Sequence, residues 1–146
     1  MKLSPGDFAL FQAVDHRVEG VLDYALPDRT LRLASLVADG QRRFVEPVVV
    51  ANRVLVLSEI PPLDIDSPPP ATIYYRGESY LLKLSGLATV SIAGSVTNRR
   101  PGTCELWRFG AAGGKFLQIE TWAGQVHMLA GTSVHEDMLE VRPAKP

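Results

Sequence analysis

Twelve glycines and eleven prolines are scattered through the 146 residues and cut the chain into pieces too short for most helices. An isolated helix needs an uninterrupted run of about 12–15 residues, whereas a strand is complete at about five or six. Such punctuation favours many short strands joined by tight turns. The pieces carry the matching period of two. Val90, Ile92, Gly94 and Val96 alternate with Thr89, Ser91, Ala93 and Ser95, and Tyr80, Leu82 and Leu84 flank Leu81 and Lys83. Leu117, Ile119 and Thr121 alternate with Gln118 and Glu120. Near the start Val18 and Leu22 fall in phase, with Arg17, Glu19 and Asp23 on the other side. Alternation of this kind buries one strand face and leaves the other towards solvent. The run Val54-Leu55-Val56-Leu57 is apolar on both faces, as in a strand covered twice. Turn chemistry recurs at Pro27-Asp28, Asp39-Gly40, Pro101-Gly102, Gly113-Gly114 and Ala123-Gly124. Gly113-Gly114 reads as a two-residue hairpin turn, because glycine takes positive φ without steric cost. The expected fold is all-β and mostly antiparallel.

Five prolines fall among the ten residues from Pro61 to Pro70, together with Asp64 and Asp66. Proline fixes φ and removes a donor, so this stretch is excluded from a sheet interior and runs extended along a surface. It reads as a stiff connector or as a polyproline ligand for a partner domain. The chain then divides into an N-terminal lobe (1–60), the connector (61–71) and a C-terminal lobe (72–146). A shift of 74 residues places Gly20 on Gly94, Pro27 on Pro101, Gly40 on Gly114, Glu46 on Glu120 and Leu55 on Leu129. The expected architecture is a pseudo-duplication: two similar antiparallel small-barrel or half-sandwich lobes. A lobe of about 60 residues buries too little surface alone, so the two share a core and fold as one unit.

Charge nearly cancels, with 15 Lys+Arg against 16 Asp+Glu for a net −1, and this lacks the basic excess that nucleic acid or an anionic membrane surface attracts. A lone cysteine, Cys104, excludes an intramolecular disulfide and a Cys-rich zinc site, and fits a reducing compartment. Met1–Asp7 has no apolar run and does not read as a signal peptide. The uncharged stretch Leu84–Asn98 falls short of the roughly 20 apolar residues of a membrane helix. The expectation is a cytoplasmic protein without membrane insertion, cofactor or metal.

Candidate chemistry is sparse. His16, His127 and His135 have no H-x-H or H-E-x-x-H spacing. His135-Glu136-Asp137 holds a histidine beside two carboxylates, either to bind an ion or as a polar turn before the last strand; His127 reads as strand surface or a partly buried ring. A nucleophilic Cys104 would need a base and a lowered pKa; Arg99-Arg100 lie across the Pro101-Gly102 turn, yet Thr103–Trp107 reads equally as an ordinary strand start. No G-x-S-x-G, Walker or G-x-G-x-x-G motif occurs, and Gly110–Gly114 leads into the strand Lys115–Trp122 instead of a helix, so it is a hairpin and no phosphate loop. Glu46 and Glu120 coincide under the 74-residue shift. They are either solvent-side residues of amphipathic strands or a pair converging on one groove for acid–base work or a cationic ligand. Arg42-Arg43 and Arg99-Arg100 offer phosphate contacts without forming a basic stripe. Trp107, Phe109, Trp122, Tyr74, Tyr75 and Tyr80 concentrate aromatics in the second half, as core or, for an exposed Trp122, as a binding platform.

Several segments together resemble a known family. In the first half these are Pro5-Gly6-Asp7, Val18–Leu22, Asp39-Gly40 and Arg43–Glu46; in the second, Tyr75–Tyr80, Leu87–Val90, Leu117–Trp122 and Gly131–Val134. Over Pro5 to Val141 the chain resembles a bacterial domain family of unknown function catalogued as "forty-one seventy-eight". It departs from that pattern in the first-half strands, where such proteins often carry aromatics and this chain has Leu31, Leu33, Leu36 and Phe44. The resemblance implies a setting, in gene neighbourhoods for envelope stress, toxic-agent resistance and polyamine synthesis, and no substrate. The expected function is a non-catalytic accessory module that binds a protein partner, beside the inner membrane, or self-associates through open sheet edges. Glu46, Glu120, Trp122 and Trp107 are its candidate ligand- or partner-binding residues. Two alternatives stand beside it: a small-molecule-binding β domain, and a small hydrolase or transferase using Glu46, Glu120 or Cys104.

Overall fold

The computed structural model describes residues 1–144, with the side chains at 48–50 outside the description. Among the described residues the chain is built of strands, with one 3₁₀ turn at Glu136–Met138 and no α-helix. In chain order these are β1 (Phe8–Phe11), β2 (Val14–Ala25), β3 (Thr30–Ala38), β4 (Gln41–Val50), β5 (Arg53–Ile60), β6 (Thr72–Tyr75), β7 (Glu78–Gly94), β8 (Gly102–Ala111), β9 (Lys115–Trp122), β10 (Gln125–His135) and β11 (Leu139–Arg142). Four of the hairpins close through two-residue turns with positive φ at both positions: Gln12-Ala13, Asp39-Gly40, Ala51-Asn52 and Arg76-Gly77. This geometry follows the right-handed twist of paired strands. The Gly113-Gly114 turn differs from its expectation. Ala111 pairs with Lys115, so the loop holds three residues.

Eight strands, in the order β2-β3-β4-β5-β10-β9-β8-β7, pair antiparallel, and β7 returns to β2 from Gly20↔Gly94 to Ala25↔Thr89. They close into one barrel. The structure shows one closed barrel where two small barrels or half-sandwiches were expected, and its interior cluster draws on strands of both halves. Closure confines the open edges, on which partner binding was expected to rest, to strands outside the barrel, since every strand of a closed barrel has two neighbours. Only β11, beside β1, and β6, beside β7, end the sheet among the described residues. Gly20 is required by a close approach: a Cβ there would lie 2.5 Å from the carbonyl oxygen of Ser95 in the loop after β7.

Apolar clusters fill the barrel and coat it. Leu22, Tyr24, Leu33, Phe44, Leu55, Leu57, Leu106 and Leu129 pack inside. Val54 and Val56 face outward beneath Leu3, Phe11 and Leu139, which accounts for the doubly apolar run Val54–Leu57. On another outer face Trp107, Phe109, Leu117, Ile119 and Met128 are covered by β6 and by Leu63 and Ile65 of the proline-rich segment. Among the described residues no helix is long and apolar enough to cross a membrane.

Candidate functional site

Strand alternation drives an unusual set of polar groups into the barrel. On β9 the phase opposite Leu117 and Ile119 carries Gln118 and Glu120, both completely buried. On β8 the inward phase runs Cys104, Leu106 and Arg108, and the guanidinium of Arg108 is sealed with it. A buried charge survives only when its partners are in place.

Here they are. The Oε2 of Glu120 accepts from the Tyr24 hydroxyl at 2.9 Å and from Gln118 Nε2 at 2.8 Å, while its Oε1 accepts from the Trp122 indole at 3.0 Å. Arg99 Nε stands 3.8 Å from the same Oε1. Burial, and then the charge of Glu120, holds the Tyr24 hydroxyl well above its usual pKa, so it stays a donor. Gln118 Oε1 accepts two bonds from Arg108, at 3.0 and 2.7 Å, and Arg108 Nη1 donates to Glu46 at 2.7 Å. One polar chain thus links Glu46 to Glu120.

The barrel end beyond Glu120 is plugged by the loop between β7 and β8. Val96 of that loop joins the interior cluster, and the Arg99 side chain is 1% exposed. Arg99 donates to Glu59 at 3.1 Å; Arg42 contacts Glu59 at 3.5 Å and Glu19 at 3.1 Å, and Glu19 also accepts from Ser35. Arg42 and Arg99 both lie over the Phe44 ring, at 5.7 and 5.5 Å from its centroid. His127, half-buried on β10, has an Nε2 sealed from solvent without a partner. Burial, and then the charge of Arg99, lowers its pKa. A cleft of about 460 Å³ opens beside this plug, lined by Trp122, Arg100, Asn98, Thr103 and Gln125 among others. Across the loop a second hollow of about 470 Å³ is lined by Gln41, Arg42, Glu59 and Thr97.

The structure places Glu46 and Glu120 in one interior, joined by Arg108 and Gln118, and not as solvent-side residues. Trp122 stands at the cleft. Trp107 lies on the outside of the barrel under the proline-rich segment, away from the other three. Cys104 is buried, and its thiol is pushed up to about 12 by burial first and by Glu120 second, against the opposing pull of Arg99. Such a thiol is no nucleophile near neutral pH. The His135 ring accepts from the backbone N–H of Asp137 and caps the 3₁₀ turn, in accord with the polar-turn alternative. Among the described residues no group of His, Cys, Asp and Glu is arranged to hold a metal.

Tyr24, Gln118, Arg108 and Glu59 were not singled out from the sequence. One signal was present: Arg108 follows Cys104 and Leu106 at intervals of two, so it sits in an apolar phase where only a partnered charge is tolerated. None of the curated proteins and none of the solved structures compared with the chain matches it. The family described as Domain of unknown function (DUF4178) does match, over residues 4–136, which take in all ten strands through β10 together with the polar interior and its mouth; the chain belongs to that family.

Proposed function

We propose that the protein is a non-catalytic binding module that takes a small molecule at the barrel mouth. The cleft beside Trp122 carries this reading, since its volume of about 460 Å³ falls within the range of small-molecule sites. The interior behind it is packed with side chains, so a ligand sits at the rim. Three observations favour binding over catalysis. The carboxylate of Glu120 is engaged by three donors, the Cys104 thiol is held protonated, and the His127 Nε2 is sealed away. A nucleophile needs an accessible base and room for a reacting atom beside it.

A second reading, a protein partner, rests on β6. Among the described residues this short edge strand pairs with β7 alone, and its Tyr74 is 78% exposed with Leu81 on the neighbouring strand half-exposed. In either case we take the module to be a bacterial cytoplasmic accessory protein of the stress or resistance kind that the family resemblance implies. We also read the chain as an internal duplication. Each half runs a short hairpin strand and then a four-strand meander, and the facing pairs Gly20↔Gly94 and Leu57↔Gly131 are separated by the same shift that aligns the halves.

A metabolite panel read by thermal shift tests the proposal, with Ala123→Phe filling the cleft. A compound that raises the melting temperature of the wild type and not of the variant is the expected result. A panel that moves neither protein, alongside a native partner whose capture is lost on Tyr74→Ser, overturns it in favour of the β6 edge.

A further inference from the structure

We infer that the mouth cleft selects an anionic ligand with a flat apolar ring, an aromatic carboxylate or phosphate, held between Arg100 and the Trp122 indole. The inference rests on the reading of this cleft as the binding site. Two arginines line the cleft, and no carboxylate does among the described residues. The charge of Arg99 is already matched, by Glu59 at 3.1 Å and by Glu120 behind it. Arg100 is exposed and has no ion pair among the described residues, which is also true of exposed Arg17, Arg53 and Arg76; what sets it apart is its place in the lining of the cleft beside Trp122. Glu120 is completely buried, Glu59 lines the hollow on the far side of the loop, and exposed Glu105, paired with Thr121, is outside the lining of the cleft.

The second half of the inference comes from Trp122. Its Nε1 is fixed to Glu120, and Glu120 is itself fixed by Tyr24 and Gln118, so the ring orientation is set before any ligand arrives. A pre-oriented aromatic wall binds a flat ring at little conformational cost. An unmatched guanidinium beside it favours a carboxylate or phosphate, to which it donates two parallel bonds. Asn98, Thr103 and Gln125 add neutral hydrogen-bonding groups around the head.

The chain has two tryptophans, so Trp107→Phe leaves Trp122 as the only tryptophan, excited selectively over the four tyrosines at the red edge of the absorption band. Benzoate, phenyl phosphate, benzamide, benzylamine and inorganic phosphate are titrated against its fluorescence, and the amide resonances of Gly124 and Gln125 in the wild type give the same readout should that variant not fold. Benzoate or phenyl phosphate should saturate the signal, the better of them identifying the head group. Benzamide should bind about tenfold more weakly, benzylamine not at all, and Arg100→Ala should bring the anions down to the benzamide level. Rising salt should weaken the anions alone. Benzamide or benzylamine binding as well as benzoate overturns the anion assignment and leaves the cleft a ligand site. Inorganic phosphate binding as tightly as phenyl phosphate overturns the part given to the ring. Failure of every ring-bearing probe to perturb Trp122, Gly124 or Gln125 overturns the cleft itself as the site.

Discussion

Glu120→Gln is the substitution that most directly probes how the barrel interior is held. The change keeps the volume and removes the charge. Both carboxylate oxygens of Glu120 act as acceptors, one for Tyr24 and Gln118 and the other for Trp122. A glutamine amide replaces one acceptor by a donor, so at least the Trp122 N–H or the Tyr24 and Gln118 pair faces another hydrogen. A bond to a buried charged group is worth about 1.5–3 kcal/mol, and an acceptor lost from a buried donor costs about 1–3 kcal/mol. Arg99, 1% exposed, also loses the carboxylate 3.8 Å from its Nε and keeps only Glu59. Breaking one side of a buried ionic arrangement costs about 3–5 kcal/mol, and we take that range for the total, because the terms overlap. At about 2–4 °C per kcal/mol for a chain of this size, the melting temperature should fall by roughly 6–20 °C. Urea unfolding followed by circular dichroism gives the free energy, and a double-mutant cycle with Tyr24→Phe gives the coupling. A loss under about 1 kcal/mol with the native spectrum retained, and no coupling to Tyr24, would refute the claim that the network is tightly paired.

Burial, with Arg99, lowers the pKa of His127 in the folded protein, so the unfolded chain binds the proton first. That contribution to stability is intact above the unfolded pKa of about 6.5 and is lost as pH falls through the lower folded value; His127→Gln should flatten this part of a melting-temperature profile. Cys104 should resist a thiol reagent at pH 8 in the native protein and react at once in urea, and prompt native labelling would contradict its burial. A Cβ on Gly131 would collide with the Val56 carbonyl oxygen across the β5–β10 seam, so Gly131→Ala should cost about 3 kcal/mol or more by chemical denaturation. Gly113→Ala meets open space at φ +79° and should cost only about 1 kcal/mol.

The strands were legible because alternation and turn residues are local signals, and Val54–Leu57 even told that both its faces are covered. Barrel closure was not, since β5 with β10 and β2 with β7 pair residues far apart in sequence, and nothing within either strand names its partner. Gln118 and Glu120 misled for a related reason. Leu117 and Ile119 take the apolar phase of β9, which makes the other phase look wet, yet the proline-rich segment covers the first face while the barrel encloses the second. Trp107 and Trp122 likewise read as one aromatic group until the barrel wall separated them. A sequence shows which residues alternate, and the closure of the sheet decides which side is water.

Both seams of the barrel join strands from opposite halves of the chain, β2 to β7 and β5 to β10. During synthesis the first meander therefore emerges with two bare edges and its interior side chains uncovered. It waits in that state until about seventy further residues supply the strands that cap both edges. Nonlocal pairing of this kind slows folding and leaves intermediates open to aggregation. The interval makes the nascent half a natural client for chaperones, and it gives synonymous codon choice near the proline-rich segment a physical handle on yield. The same geometry suits fragment complementation. Chains severed between β5 and β6 would each offer the two edges that the other needs, and a split reporter built on that cut would regain its signal only when the barrel closes.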